Sequence, residues 1–265
     1  MIDKVIKGEN DMNYRFAVEN RNYEDFSSGR VFYSQKGATS FPTRLASEIY
    51  QLCKSVLMKQ GCDKPYVLYD PCCGGAYLLA SIGFLHGEEI SKIYASDVDE
   101  AVIPLAQRNL ALLTKEGMDE RIREIQKMIG EFGKESHSQA LDSSLNLRDI
   151  LGKRNESLEL KCFVSDITKN NNLINSIHNV NIIITDLPYG ELVNWNSMED
   201  EKEAVEKLLD NVLQIMSTDS VIAIISKSKS KIKHKDFKQV ERFVIGKRQI
   251  TILKPVDAKN NMKCR

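Results

Sequence analysis

Apolar residues recur at helical spacing after Thr43, where Leu45, Ile49, Leu52 and Val56 lie three or four positions apart and the run stops at Gly61. That pattern predicts an amphipathic helix. The period then changes. "PYVLYD" (65–70) reads as a short buried strand, "GGAYLLASIGFLHG" as a helix opened by glycines, "KIYASD" (92–97) as a second strand and "DEAVIPLAQRNLALLTKEG" as a second helix. Strand and helix alternating at this pitch predict βαβ units and a parallel sheet buried on both faces. A charged, Ser- and Asn-containing stretch at 119–160 breaks the rhythm and reads as helices joined by an exposed loop around 133–145. "KCFVSD" (161–166), "NVNIIITD" (179–186) and "SVIAIIS" (220–226) resume the strands, with a helix at "MEDEKEAVEKLLDNVLQIM" between the last two. The final "QVERFVIGKRQITILKP" folds about Gly246-Lys247 as an antiparallel hairpin. The expected fold is α/β: a Rossmann-like, doubly wound, mostly parallel seven-stranded sheet. Residues 1–60 form a helical extension and 61–265 the main domain, with 119–160 inserted in it.

At 265 residues the chain is long enough for a sizeable core. Its 37 basic and 37 acidic residues balance, which argues against attachment to nucleic acid by bulk charge and directs attention to local patches. Nothing resembles a signal peptide or a bilayer-spanning stretch, so a cytoplasmic protein is expected. The six cysteines form no CxxC pair and the four histidines are scattered, which favours free thiols over disulfides or zinc.

The candidate chemistry lies at the strand ends. Asp70, Asp97, Asp166 and Asp186 each close a predicted strand. A single such acid is readily a helix cap. In an open parallel sheet, however, the carboxyl ends of the strands form the ligand crevice, where crowded carboxylates need compensating donors or cations. Gly74 and Gly75 let the backbone approach a ligand where the first strand turns into its helix, yet the full G-x-G-x-x-G of dinucleotide binders is missing. Asp97, 23 residues beyond Gly74, can accept both hydroxyls of a ribose. An adenosine without pyrophosphate, carrying a carboxylate and an amine, points to S-adenosylmethionine.

These segments resemble the class I S-adenosylmethionine-dependent methyltransferases: "DPCCGG" as the first-strand loop, "ASDVD" as the ribose acid, "FVSD" as the adenine-side acid and "TDLPYG" as the D/N-P-P-Y/F motif of amino-group methyltransferases. The resemblance implies that Asp70 and Gly74 line the methionine end of the cofactor, that Asp97 holds the ribose and that Asp166 holds the adenine amino group. Cys72 lies in the same cofactor loop, where it and Cys73 read as small packing residues. Leu187 replaces the usual first proline of the motif, which favours RNA guanine over DNA adenine. Longer stretches, "YRFAVENRNYEDFSSGRVFYS", "FPTRLASEIYQ" and "ASDVDEAVIPLAQRNLALL", are similar to the avilamycin-resistance ribosomal RNA methyltransferases of the AviRa type. That family methylates a guanine of 23S ribosomal RNA, so an antibiotic-resistance role is implied.

In "DLPY" the Asp186 carboxylate and the Leu187 carbonyl would accept hydrogen bonds from the target base and aim its nitrogen at the methyl group. Pro188 would shape the turn, Tyr189 would stack on the extruded base, and Asp186 also borders the cofactor. An ordinary β-turn would use the same residue types.

RNA contact is expected at two places. Lys227, Lys229 and Lys231 open a basic run that continues to Arg248, and Arg15, Arg21, Arg30 and Arg44 are interleaved with aromatics near the N-terminus. The competing readings are a solvated face for the first and an arm packed on the domain for the second. The expected reaction is methyl transfer to a base nitrogen of ribosomal RNA or of a large-subunit precursor, by a monomer needing neither metal nor membrane. The rivals are methylation of transfer RNA guanine, DNA adenine or a protein side-chain amide, a non-catalytic cofactor- and RNA-binding module, and a nicotinamide dehydrogenase.

Overall fold

The computed structural model describes residues 14–256 except 20, 36–39, 64, 155–157, 170–176, 188–197 and 228–230. Along the chain come α1 (Thr43–Lys59), β1 (Tyr66–Asp70), α2 (Tyr77–His86), β2 (Ile90–Asp97), α3 (Ile103–Ala111), α4 (Lys115–Phe132), α5 (Glu135–Gly152), β3 (Glu159–Val164), β4 (Val180–Asp186), α6 (Met198–Leu213), β5 (Met216–Lys227), β6 (Phe237–Ile245) and β7 (Arg248–Pro255). Seven strands form one sheet in the order β3-β2-β1-β4-β5-β7-β6. The first five are parallel, while β7 runs antiparallel to both β5 and β6. The strand order reverses between β1 and β4, the kind of switch point outside which open parallel sheets bind their ligands. Among the described residues no helix is long and apolar enough to cross a membrane.

Each face of the sheet carries its own apolar cluster. Ile182, Ile184, Val221, Ala223 and Ile225 pack on α1 and α2 on one face, and Ile183, Ile222 and Ile224 pack on Leu208, Leu209 and Val212 of α6 on the other. Successive strand residues point to opposite faces, so a run such as Ile182-Ile183-Ile184 supplies both layers. The N-terminal extension is an extension in sequence but not in packing: Leu45, Ile49, Tyr50 and Leu57 of α1 are buried in the first cluster. So are Phe26, Phe32 and Phe41, which removes them from the aromatics expected to meet RNA.

Glu48 shows how the arm is held. Its carboxylate, 1% exposed, accepts backbone N–H bonds from Arg15 at 2.8 Å, Phe16 at 3.0 Å and Ala17 at 2.8 Å. Such charge-assisted bonds compensate a carboxylate taken out of water. Replacing Glu48 with Gln is expected to lower unfolding stability by about 2 kcal/mol, measured by urea denaturation. Proteolysis should then release residues 14–18 first.

Two expectations are corrected. The loop at 133–145 is a two-residue turn, Gly133–Lys134, followed directly by α5. Its polar composition conceals a buried stripe in which the small residues Ala140, Ser143 and Ser144 accompany Leu147, and α5 packs against α4. Gly133 ends α4 with φ +57°, a left-handed cap that glycine adopts at low cost. The single helix expected across 99–117 is two, because the Thr114 hydroxyl caps α4 by accepting from the Gly117 amide at 3.1 Å.

Candidate active site at the carboxyl edge of the sheet

The four acids come together because the strands that carry them are parallel and in register. Asp70 pairs with Ala95, two positions before Asp97; Asp97 pairs with Val164, two before Asp166; Asp186 pairs with Ile225 on β5. Asp166 lies just beyond β3 rather than at its end, as the Ser165 amide donates back to the Asp97 carbonyl at 2.9 Å.

Asp70 is 2% exposed and accepts from the Cys72 amide at 3.0 Å. Burial pushes its carboxyl up to about 8; the Cys72 amide and the adjacent Thr185 hydroxyl pull the other way, and the negative charges of Asp97 and Asp186 add to the rise. An unfolded aspartate ionises near 3.9. The native state therefore holds a proton that the unfolded chain has lost, and stability contributed by this group falls as pH rises from about 4 to about 8. The Asp70→Asn protein is expected to show a flatter melting temperature across that window than the wild type in a pH series of thermal melts.

The first-strand loop is tied to its neighbour. The Cys73 amide donates to the Ser96 carbonyl at 2.9 Å and the Gly74 amide to Asp97 Oδ2 at 2.8 Å, while Asp97 Oδ1 accepts from the Asp99 amide at 3.0 Å. Gly74 has φ +49° and open space where a Cβ would stand, so a ligand can meet bare backbone there. Cys72 packs beneath the loop with its thiol held protonated by burial. Asp166 is held below the usual carboxylate range: burial opposes ionisation, but the Thr168 hydroxyl at 2.6 Å, the Thr168 amide at 3.0 Å and Lys169 at 2.9 Å outweigh it.

Sequence reasoning missed Asn109. This buried side chain donates to the Gly75 carbonyl at 2.8 Å and the Tyr33 carbonyl at 3.1 Å and accepts from the Tyr33 amide at 2.8 Å. It thereby clips the N-terminal segment to the glycine loop. The only available signal was a polar residue at a core position of α3.

Asp186 is 27% exposed by side chain, and the Leu187 amide donates to the Ile225 carbonyl at 3.0 Å, extending the β4–β5 ladder by one residue. Leu187 is 2% exposed and packs in the second cluster. Pro188 and Tyr189 lie outside the described residues, as does Lys229.

The expected RNA contacts scatter. Arg15 pairs with Glu241 on β6, Arg21 with Glu19 and Arg30 with Glu24. Arg44 donates to the carbonyls of Ala17 at 2.9 Å and Val18 at 3.1 Å and lies 4.1 Å from the Tyr14 ring centre. The basic run does not stay at the crevice edge. Lys227 ends β5 there and Lys231 is exposed, but β6, running in the same direction as β5, starts at Phe237, opposite Pro255, on the far edge. The hairpin brings Arg248 back, with its Nε 3.8 Å from Asp186 Oδ2.

Far from this edge, Asp210, His234 and Asp236 gather potential metal ligands. There His234 Nε2 lies 3.2 Å from the Asp210 carboxylate while Nδ1 accepts from the Asp236 amide at 3.2 Å, so both ring nitrogens are engaged within the protein.

A strand order of 3-2-1-4-5-7-6 with a glycine loop after the first strand and an acid after each of the first four matches a methyltransferase cofactor crevice. Comparison with known proteins narrows this. The family model described as rRNA methyltransferase AviRa matches residues 12–248. The chain belongs to the AviRa ribosomal RNA methyltransferase family. It is 34% identical over 246 residues, 92% of this chain and 96% of the relative, to a 23S rRNA (guanine(2535)-N(1))-methyltransferase of Streptomyces viridochromogenes. Two solved structures of the rRNA methyltransferase aviRa from that organism superpose with TM-scores of 0.81 and 0.80, at 34% and 32% identity. They cover 90% and 91% of this chain, and 95% of the AviRa chain in each case.

S-adenosylmethionine is the methyl donor of this AviRa-family enzyme, and the residues present suit it. A buried, charge-averse Asp70 beside two more acids calls for a cationic ligand, and the open space at Gly74 leaves room for one.

Proposed function

We propose that this AviRa-family enzyme methylates N1 of a guanine in 23S ribosomal RNA, acting in the cytoplasm as a monomer with neither metal nor membrane. The observation that carries this is the pairing of Asp186 at the β4 end with a cofactor crevice built by Asp70, Gly74 and Asp97; the guanine-N1 activity for which the Streptomyces relative is named supports the choice of atom.

When bound, S-adenosylmethionine supplies an electrophilic sulfonium methyl group. Asp70 meets the positive amine of its methionine end, Asp97 accepts from the ribose hydroxyls, and Asp166 accepts from the adenine amino group. Asp186 accepts the N1 proton of the guanine, and the Leu187 carbonyl accepts from its exocyclic amine, so that the Watson–Crick edge faces the cofactor. Pro188 holds the turn and Tyr189 stacks on the extruded base. Positioning supplies most of the rate, because an amide-like nitrogen is a poor nucleophile until it is oriented and deprotonated. Lys227, Lys229, Lys231, Arg15, Arg21 and Arg30 contact the RNA backbone.

The test is transfer of a labelled methyl group to 23S ribosomal RNA, transfer RNA and DNA in parallel, followed by mapping of the modified base. Label confined to one guanine of ribosomal RNA is the expected result. Label in transfer RNA or DNA alone would replace the substrate assignment. If the modified guanine lies in the avilamycin-binding region of the ribosome, expression in a sensitive host should raise avilamycin tolerance.

A further inference from the structure

Arg248 lies next to the reacting acid without completing a hydrogen bond to it. Its Nε is buried and has no hydrogen-bond partner among the described residues, and it stands 3.8 Å from Asp186 Oδ2, beyond bonding distance. Buried donors in folded proteins are nearly always satisfied, so an orphan beside a catalytic edge calls for an explanation. The side chain as a whole is 30% exposed, which leaves part of the guanidinium reachable from the crevice. Two features fix its position. The first residue of β7 is paired with Lys227 on one side and Ile245 on the other, and the guanidinium carbon lies 5.2 Å from the centre of the Phe41 ring, itself anchored in the core. Asp186 on β4 is its charged partner within 4 Å among the described residues; Lys247 precedes it in the hairpin turn.

N1 methylation creates a need at this place. N1 and O6 belong to one amide system, so charge released when N1 loses its proton spreads through C6 onto O6. A group accepting the N1 proton must then have a donor beside it, on the O6 side. We propose that Arg248 is a further catalytic residue, whose guanidinium donates to O6 of the target guanine while Asp186 takes the N1 proton; this rests on the reading of N1 as the accepting atom. In the balanced step, N1 forms its bond to the methyl carbon as the sulfur–methyl bond breaks and its electron pair remains on sulfur. The proton moves from N1 to the Asp186 carboxylate and then to solvent, and the guanidinium keeps all its protons.

The arrangement also bears on selectivity. Adenine carries an amino group in place of O6, so it would offer donors to a donor, leaving the guanidinium unpaired at a desolvated contact.

The test compares wild type with Arg248→Gln and Arg248→Lys in single-turnover methylation of 23S ribosomal RNA as a function of pH, with cofactor affinity by calorimetry and thermal melting alongside. Arg248→Gln is expected to lose about 100-fold in the rate of transfer, the scale of removing one preorganised donor to a developing oxyanion. Its cofactor affinity and melting temperature should stay near wild type. Its rate should also keep climbing at alkaline pH where the wild-type rate has levelled, because ionisation of N1 is no longer assisted. Arg248→Lys, which keeps the charge but not the fork, should fall between the two. An unchanged rate and pH profile in Arg248→Gln would overturn the proposal. So would a rate loss matched by equal losses in melting temperature and cofactor affinity, which would make Arg248 a clip for Phe41. Wild-type label found on the exocyclic N2 instead of N1 would overturn the reading of the accepting atom, and this inference with it.

Discussion

The Asp186→Ala protein is expected to transfer methyl groups at least about 1,000-fold more slowly than wild type while binding S-adenosylmethionine as well or slightly better. The rate loss follows from removing a positioned proton acceptor, whose contribution is on the order of 10² to 10⁴, together with the hydrogen bond that orients the base. The retained affinity follows from electrostatics. Asp186 is one of the negative charges that raise the Asp70 carboxyl, so deleting it eases ionisation of Asp70. An ionised Asp70 is the better partner for the cofactor's amine. Single-turnover transfer and calorimetric titration read the two quantities separately. A variant that still methylates at the wild-type rate would remove Asp186 from the mechanism.

Replacement of Asp97 with alanine should act in the opposite way, weakening cofactor affinity by roughly 100- to 1,000-fold, as expected for losing charge-assisted hydrogen bonds of about 1.5–3 kcal/mol each. Asp97 has two tasks. Its Oδ2 fixes the Gly74 amide and its Oδ1 fixes the Asp99 amide, so the side chain shapes both walls of the crevice before any ribose arrives. Asp97→Asn keeps one acceptor and should cost about tenfold. A titration showing less than about a threefold change in the alanine variant, below about 0.7 kcal/mol, would mean that the ribose is held elsewhere.

Much of this was legible because strands buried on both faces leave a plain signature. "PYVLYD", "NVNIIITD" and "SVIAIIS" admit few readings other than central strands, and each ends at the edge where function collects. Helix α5 was less legible, since three of the four residues it buries, Ala140, Ser143 and Ser144, pack by being small rather than strongly apolar. The arginines near the N-terminus looked alike in sequence. Arg44 binds the nearby carbonyl of Ala17, whereas Arg15 reaches across to β6, a partner 226 residues away. No local pattern encodes so distant an acceptor.

By itself the sequence determined the class of fold, the order of its strands' acids and the chemistry they imply, because hydrophobic period and residue type are local properties of the chain. Only the tertiary structure decided which charges meet. The segment after Lys227 leads to the opposite edge, and β6 then brings the chain back, so that the hairpin turn sets Arg248 within 3.8 Å of Asp186. Asn109 joins the N-terminal segment to the glycine loop across 76 and 34 positions of sequence. Both outcomes depend on strand direction and register, which are set by burying two apolar faces at once, and that condition is satisfied only by the folded sheet as a whole.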